Sequence, residues 1–347
     1  MSTDRRFGDR LAARGLPALV APALWLFLLV SPALGHEVRP GYLELREAPE
    51  GRIEVTFKQP LNAGRLLPLD PLLEPGCGEA EERRFEDTGT ALIERWIWEC
   101  GPDDGGSVLL GRRVFISGLD RTLTDALLTV QLLDGTELTT LLRAKGEPFL
   151  VSREAEVGVR AYLELGIEHL LFGFDHILFV VAMVLYVRRP WQIVKVVTAF
   201  TVAHSLTLAL STLGLVQLRQ GPVEVVIALS ILFLAVELAK PEPQRSPITT
   251  RRPWLVAFAF GLLHGFGFAG ALAEIGLPRD AAALALLLFN VGVEIGQLLI
   301  VLALLAGAAL LSRSPVELPR PLLQLPAWVL GVLSARWFLE RFFGLFG

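Results

Sequence analysis

The spacing of apolar residues divides the chain into two parts with different predicted structure. In the first part, short runs of apolar residues alternate with polar ones, as at Arg52–Phe57. The same alternation continues on both sides of an Asp-Gly pair, which is typical of a hairpin turn, at Ala126–Leu133 and Thr136–Leu142. This pattern predicts a small antiparallel β-sandwich over residues 36–143, followed by a linker over residues 144–160.

The second part consists of long apolar segments. Each is near the roughly 20 residues that an α-helix needs to cross a bilayer. A hydrophobic content of 52% and a mean hydropathy of +0.51 also indicate a membrane protein with several spans. Residues 161–347 are therefore predicted to form an all-α bundle of six transmembrane helices, at Ala161–Val187, Trp191–Val216, Pro222–Ala239, Pro253–Ile275, Asp280–Leu311 and Pro321–Leu339.

Residues 1–35 have the pattern of a signal peptide. Four arginines precede an apolar run at Leu16–Val30, and Ala33-Leu34-Gly35 fits a small-x-small cleavage site. An uncleaved first membrane helix is the alternative reading. Either arrangement exports the chain from His36 onward.

The basic residues predict the orientation of the spans. If the first span starts outside, nine Lys or Arg fall on the cytoplasmic side and four on the opposite side, as the positive-inside rule requires. We therefore expect an inner-membrane protein whose β-domain faces the extracytoplasmic or periplasmic side. The cytoplasmic group is Arg188, Arg189, Lys195, Lys240, Arg245, Arg251, Arg252, Arg313 and Arg320, and the opposite group is Arg219, Arg279, Arg336 and Arg341.

The exported part is acidic and contains both cysteines. Residues 36–150 carry 21 Asp or Glu against 13 Lys or Arg, which argues against nucleic acid as a partner. Cys77 and Cys100 are predicted to form a disulfide, because an oxidising compartment favours one. A two-cysteine metal site is the alternative.

Four of the five histidines lie inside the apolar segments: His169, His176, His204 and His264. An ionisable side chain in hydrocarbon costs several kcal/mol or more, so such residues usually have a function. Imidazole is a good ligand for Ni²⁺, Co²⁺ and Zn²⁺. Sulfur ligands are nearly absent from the predicted helices, since Met183 is the only one, and this argues against Cu⁺.

The first predicted span contains two of these histidines and a run of acids. On a regular helix, His169 and His176 point the same way but lie about 10.5 Å apart, too far to share one ion. Either they form successive stations on a path, or the helix opens near Gly173, which is tolerated only beside protein or a water-lined cavity. Glu168 and Asp175 supply adjoining carboxylates.

The fifth segment places two further polar residues, like the histidines of the other segments, in the middle third of the bilayer. Asn290 and Glu294 are one helical turn apart and share a face. They are candidate metal ligands together with the histidines. Hydrogen bonding between helices is the alternative for Asn290, and a proton relay is the alternative for Asp175 beside His176.

His36 is a separate candidate ligand outside the membrane. If cleavage follows Gly35, the new α-amine and the His36 ring nitrogen could chelate a metal together. An incidental histidine after a signal peptide is the alternative.

Four motifs in order carry a family resemblance. They are Glu168-His169 with Asp175-His176, the stretch around His204, the Gly-rich stretch around His264, and Asn290 with Glu294. In these residues the chain resembles the HupE/UreJ family, membrane proteins associated with nickel uptake for the maturation of hydrogenase and urease. The resemblance implies transport ligands at His169, Asp175, His176, His204 and His264, and metalloenzyme maturation proteins as possible partners.

The first motif is also similar to the His-x4-Asp-His signature of the wider nickel/cobalt permeases. Here the spacing is His169-x5-Asp175-His176, one residue longer. On a regular helix that residue turns the first histidine by 100°, so the ligand geometry of those permeases does not transfer.

We therefore expect a secondary transporter (permease) for a divalent transition metal, with nickel preferred and cobalt or zinc as alternatives. The sequence contains no phosphate-binding Gly-x4-Gly-Lys-Ser/Thr loop, so nothing in it indicates transport driven by ATP hydrolysis. No tightly bound cofactor is expected. Neither His-Glu-x-x-His nor a Gly-x-Ser-Gly element is present, which argues against an intramembrane enzyme. The remaining alternative is a non-transporting membrane receptor or metalloenzyme-assembly factor whose β-domain binds a partner or metal.

Overall fold

The computed structural model describes residues 40–61, 66–88, 91–101, 107–122, 125–152, 159–187, 189–216, 218–275, 282–312 and 320–346. The predicted signal peptide at residues 1–35, His36 and part of the predicted linker lie outside these ranges. The chain separates into two compact units, one of them Val38–Leu165 and the other containing Gly166–Gly347. The division falls inside the helix Val159–Phe172.

The first unit is a β structure of two sheets. One sheet has seven strands in the order β4-β6-β2-β1-β8-β9, with β5 also paired to β6, and the other has three in the order β10-β7-β3. The strands are β1 (Gly41–Ala48), β2 (Arg52–Pro60), β3 (Asp70–Glu74), β4 (Gly78–Glu79), β5 (Arg84–Asp87), β6 (Ala91–Glu99), β7 (Arg113–Ser117), β8 (Ala126–Gln131), β9 (Glu137–Leu142) and β10 (Phe149–Leu150).

Both sheets contribute to one apolar core, as expected for a sandwich-like domain. Alternate residues of β1 and β2, including Leu43 and Val55, meet Val114 of β7 there. The predicted hairpin is confirmed, with Val130 of β8 opposite Leu138 of β9. The expectation of a wholly antiparallel structure is wrong in one place: β1 and β8 run parallel, since the chain enters β8 from β7 of the second sheet and not through a hairpin from β1.

The predicted disulfide is confirmed, and its removal should destabilise the β unit. Cys77 and Cys100 are bonded across a separation of 23 residues and both pack against the core. Closing a loop of this length stabilises a fold by about 3 kcal/mol through the entropy of the unfolded chain. We expect the Cys77→Ser/Cys100→Ser variant of the full chain to lose about this much free energy of unfolding in denaturant titrations. Reductant should lower the stability of the wild type and leave the variant unchanged; equal stability of oxidised and reduced wild type would contradict the prediction.

The second part of the chain is helical. The helices are α1 (Val159–Phe172), α2 (Phe174–Tyr186), α3 (Pro190–Thr212), α4 (Gln220–Ala239), α5 (Pro247–Arg251), α6 (Pro253–Ile275), α7 (Ala282–Ser312) and α8 (Arg320–Phe343). Each of the six predicted apolar segments therefore overlaps a helix, the first of them as the broken pair α1 and α2.

Fewer than the six predicted membrane spans are confirmed over the residues that the structure describes. Over the described ranges, three helices are long and apolar enough, at Pro190–Thr212, Gln220–Ala239 and Ala283–Leu310, and α1 with α2 makes a fourth if the bent pair is one span. In α6 only Pro253–Gly267 is a described apolar stretch, and it is shorter than a span. Helix α8 contains Pro326 and has charged residues in its last turns.

The helices α2, α3, α4, α6, α7 and α8 enclose one apolar core. Helix α3 packs along α6, and α4 packs along α8. The close α3–α6 approach depends on Gly261, where a Cβ atom would collide with the Phe200 carbonyl group. This arrangement brings the histidine-bearing helices α1, α2, α3 and α6 together.

Candidate metal centre

The predicted opening of the first span occurs at Gly173. Helix α1 ends one residue before it, α2 begins one residue after it, and the two axes are bent by 72°. The backbone of Gly173, at φ −79° and ψ 90°, leaves the helical region. A Cβ atom here would lie 2.6 Å from the His169 carbonyl oxygen and 2.8 Å from His176 Nδ1. Glycine is therefore the residue that lets the chain turn between the two histidines.

The bend brings three imidazole rings together. The ring centroids of His169 and His176 are 4.7 Å apart, and that of His204 on α3 lies 6.0 Å and 5.8 Å from them. Each ring offers a nitrogen within 4.8 Å of those offered by the other two. A tetrahedral ion with bonds of about 2.0–2.1 Å needs nitrogens about 3.4 Å apart, so modest ring rotations would close the site.

The three rings are buried in apolar surroundings. Their side chains are at most 5% exposed, with Phe289 beside His169 at 5.3 Å and Phe200 stacked on His204 at 6.1 Å between ring centroids. Both ring nitrogens of His176 and Nε2 of His204 have no hydrogen-bond partner among the described residues. Buried polar atoms without partners are rare and costly, so these nitrogens are candidates for binding a ligand.

His264 on α6 stands beside the three histidines. Its ring centroid lies 5.0 Å from that of His176 and 5.6 Å from that of Phe179. Its Nε2 is 3.4 Å from the Ser230 hydroxyl oxygen, and because that hydroxyl donates its proton to the Ile227 carbonyl, it accepts from the ring. Thus the structure gathers all four predicted membrane histidines, three of them in the compact group and the fourth at its edge.

Asn290 on α7 orients one of the rings. Its amide nitrogen donates to the Leu286 carbonyl at 2.7 Å, which directs Oδ1 toward His204 Nδ1 at 3.2 Å. Because the amide oxygen can only accept, Nδ1 of His204 carries the proton and Nε2 keeps a lone pair for a metal. Asn290, predicted as a metal ligand, therefore contacts the Nδ1 side of His204. In other metal sites, a hydrogen-bond partner in this position fixes the tautomer of the histidine ligand.

Glu294 lies further along the same helix, in a polar seam between α3 and α7. Thr198 donates to one oxygen of Glu294 at 2.7 Å, and Thr201 donates to the Gln297 amide oxygen at 2.9 Å. The other carboxylate oxygen of Glu294 is buried with no hydrogen-bond partner in the described part of the chain. Glu294 is not part of the three-histidine group.

Asp175 and Glu168 also lie next to the three-histidine group and outside it. Consecutive residues of a helix point about 100° apart, so Asp175 points to one side of the group that its neighbour His176 enters. Its Oδ2 atom lies 3.1 Å from Nη2 of Arg341 on α8. Glu168 is half-buried on α1, immediately before His169.

Sequence reasoning missed two residues near the site. The sequence marks Arg341 only as a charge near the end of the sixth segment, and it assigns no role to Ser230. Both are polar or charged side chains on helices made mainly of apolar residues. Such a residue is worth examining as a partner of functional groups even when it lies near a helix end.

Comparison with known proteins adds one result. The family model described as HupE / UreJ protein matches residues 145–341, a range that includes all four clustered histidines. Neither a curated protein nor a solved structure matches the chain. Because the family match covers more than half of the sequence, the chain belongs to the HupE/UreJ family.

Proposed function

We propose that this protein is a secondary transporter for a divalent transition metal, with nickel preferred and cobalt or zinc as alternatives. Membership of the HupE/UreJ family indicates a membrane protein of the metal-transporter type and argues against an enzyme. The observation that carries the proposal is the convergence of three buried imidazoles, from His169, His176 and His204, within 4.8 Å.

The donor set suits the proposed cargo. Neutral imidazole nitrogens bind borderline divalent ions such as Ni²⁺, Co²⁺ and Zn²⁺ better than the hard ions Mg²⁺ and Ca²⁺. Met183, the one methionine of the described helices, is buried in the apolar core and lies two turns, about 10.5 Å, along α2 from His176, so its thioether adds no affinity for Cu⁺ at the three histidines. Three neutral ligands bind an ion without neutralising it, which favours the release that transport requires.

The proposed path crosses the inner membrane through six helical segments, with the β unit on the extracytoplasmic side. Three or four of these segments are suited to spanning by length and composition. The polar seam formed by Thr198, Thr201, Glu294 and Gln297 extends from the histidines along α3 toward its start, which is the cytoplasmic end in this topology. We assign it as the route by which the ion leaves.

Metal uptake by reconstituted protein tests the proposal. Full-length protein in liposomes containing an entrapped metal-sensitive dye should accumulate Ni²⁺, and Co²⁺ or Zn²⁺ should compete while Mg²⁺ should not. Protein-free liposomes give the background, and both signs of pH gradient and membrane potential should be imposed. Uptake no faster than background under all of these gradients would refute the transporter assignment.

A receptor or assembly factor is the second candidate. The β unit has its own apolar core and its own disulfide, so it could bind a partner independently of the helices. Attaching this unit to a foreign membrane anchor separates the two functions. Full maturation of a nickel enzyme in cells that carry only the anchored β unit would favour the receptor, whereas its loss would favour transport.

A further inference from the structure

A largely buried ion pair lies beside the three-histidine group and has no role in the mechanism described so far. Asp175, in the first turn of α2, pairs with Arg341, in the last turns of α8, at 3.1 Å. The two side chains are 13% and 12% exposed. Nη1 of Arg341 also donates to the Glu224 carbonyl at 3.3 Å, and Nε lies 3.8 Å from the Glu224 carboxylate.

The pair neutralises a negative charge close to the histidines. Asp175 is adjacent in sequence to His176, and it is close enough to both His176 and His264 to interact with them electrostatically. While Arg341 holds it, the carboxylate is neutralised by a guanidinium that stays charged at every accessible pH.

A divalent ion among the histidines would change this balance. Three neutral imidazoles leave both positive charges of the ion uncompensated in a site of low polarity, where an unpaired charge is costly. Asp175 is a carboxylate next to the cluster that could compensate one of them. The ion and the Arg341 guanidinium are therefore two cations that can each pair with the Asp175 carboxylate.

We propose that Arg341 competes with the transported ion for Asp175 and so holds the affinity of the site low enough for release. This inference rests on the proposed transport function. In the metal-free protein the Asp175 carboxylate is paired with Arg341. When an ion occupies the three histidines, Asp175 turns toward it, and the return of Arg341 to Asp175 favours the ion's departure.

Calorimetric titration of purified full-length protein with Ni²⁺ tests the competition. Arg341→Gln should lower the Kd about tenfold, a typical size for coupling between linked equilibria. Arg341→Lys keeps the charge and should stay close to the wild type. Arg336→Gln is the matched control, because Arg336 lies on the same helix in an exposed pair with Glu340. An unchanged or higher Kd in Arg341→Gln would overturn the inference.

A second variant tests competition in the opposite direction and does not leave a buried carboxylate alone. Glu224→Gln removes the other anion near Arg341, so Arg341 should hold Asp175 more firmly. The Kd should rise about threefold, the scale of a partly exposed ion pair. An unchanged or lower Kd would count against the inference.

The effect of Asp175→Asn separates competition from general repulsion. It should weaken Ni²⁺ binding more in the Arg341→Gln background than in the wild type, because only there is Asp175 free to serve the ion. Equal weakening in both backgrounds would show that Arg341 acts by repulsion alone and would overturn the inference.

Failure of the proposed function gives a different result. If the wild type binds no Ni²⁺, or if His176→Ala binds as tightly as the wild type, the histidine site itself is wrong. If His176→Ala loses binding while Arg341→Gln fails to tighten it, the histidine site stands and the competition fails.

Discussion

His176→Ala should abolish nickel uptake and lower Ni²⁺ affinity by at least about 100-fold, the upper end of the cost of changing residues behind a metal ligand. The ring of His176 is the closest to the others, with centroids 4.7 Å from His169 and 5.0 Å from His264. Its loss leaves His169 and His204, 6.0 Å apart, as a two-ligand site. Dye-loaded proteoliposomes measure the uptake, and calorimetry measures the affinity.

His264→Ala is the comparison that distinguishes a three-histidine site from a site of four histidines. The two histidines are both buried, and their rings are neighbours. Only His176 belongs to the compact group, so His264→Ala should reduce affinity much less. Equal losses would mean that four histidines share the ion, and full uptake by His176→Ala would remove the three-histidine site from the mechanism.

Stability distinguishes a ligand from a structural histidine. A structural histidine makes hydrogen bonds whose loss destabilises the fold, whereas His176 has no hydrogen-bond partner among the described residues. His176→Leu, of similar volume, should therefore keep or raise the melting temperature of the metal-free protein while losing metal binding. A clearly lower melting temperature would indicate a structural role for the ring.

Local pattern was enough to predict much of the fold. The alternation around Asp134-Gly135 correctly predicted β8 and β9, because hairpin register depends on neighbouring residues. The parallel pairing of β1 with β8 joins residues about 85 positions apart, Gly41 with Ala126 and onward, and no local pattern specifies such a partner.

The candidate site shows the same limit. The spacing of His169 and His176 left two alternatives, and Gly173 between them marked where the helix opens. Sequence spacing could not give the 72° angle of the bend, and with it the distance between the rings. Nor could it pair Asp175 with Arg341, 166 residues away, since that contact depends on how α2 and α8 pack.

The length of the apolar segments alone predicts more membrane spans than the described residues support. Hydropathy predicted six crossings, yet three or four helices meet the requirements of length and composition over the described ranges. The first segment contains a break, and the last carries Arg336, Glu340 and Arg341 on its final turns. Charged residues at a helix end serve equally well as membrane anchors or as partners of buried groups, so composition cannot separate the two roles.

Gly166→Ala should destabilise the helical unit by about 3 kcal/mol or more, the upper range for overpacking. A Cβ atom on Gly166 of α1 would collide with the Phe289 carbonyl oxygen on α7 and lie 3.0 Å from the Val293 nitrogen. These are backbone atoms, so no rotamer change can relieve the contact. The helices must separate, which moves His169 on α1 away from His204, held by Asn290 on α7. We therefore expect a lower melting temperature and weaker Ni²⁺ binding together.

Gly331→Ala is the matched control for this prediction. Gly331 also lies inside a helix, α8, but the nearest atom to an added Cβ is Cβ of Ala235 at 3.8 Å, an ordinary contact. Alanine should then stabilise the protein slightly, by up to about 1 kcal/mol, because it favours helix more than glycine does. Melting curves of the two variants in the same detergent measure the difference. Similar melting temperatures would mean that α1 and α7 do not approach as closely as the site requires, and the three imidazoles would then lack the support that holds them within reach of one ion.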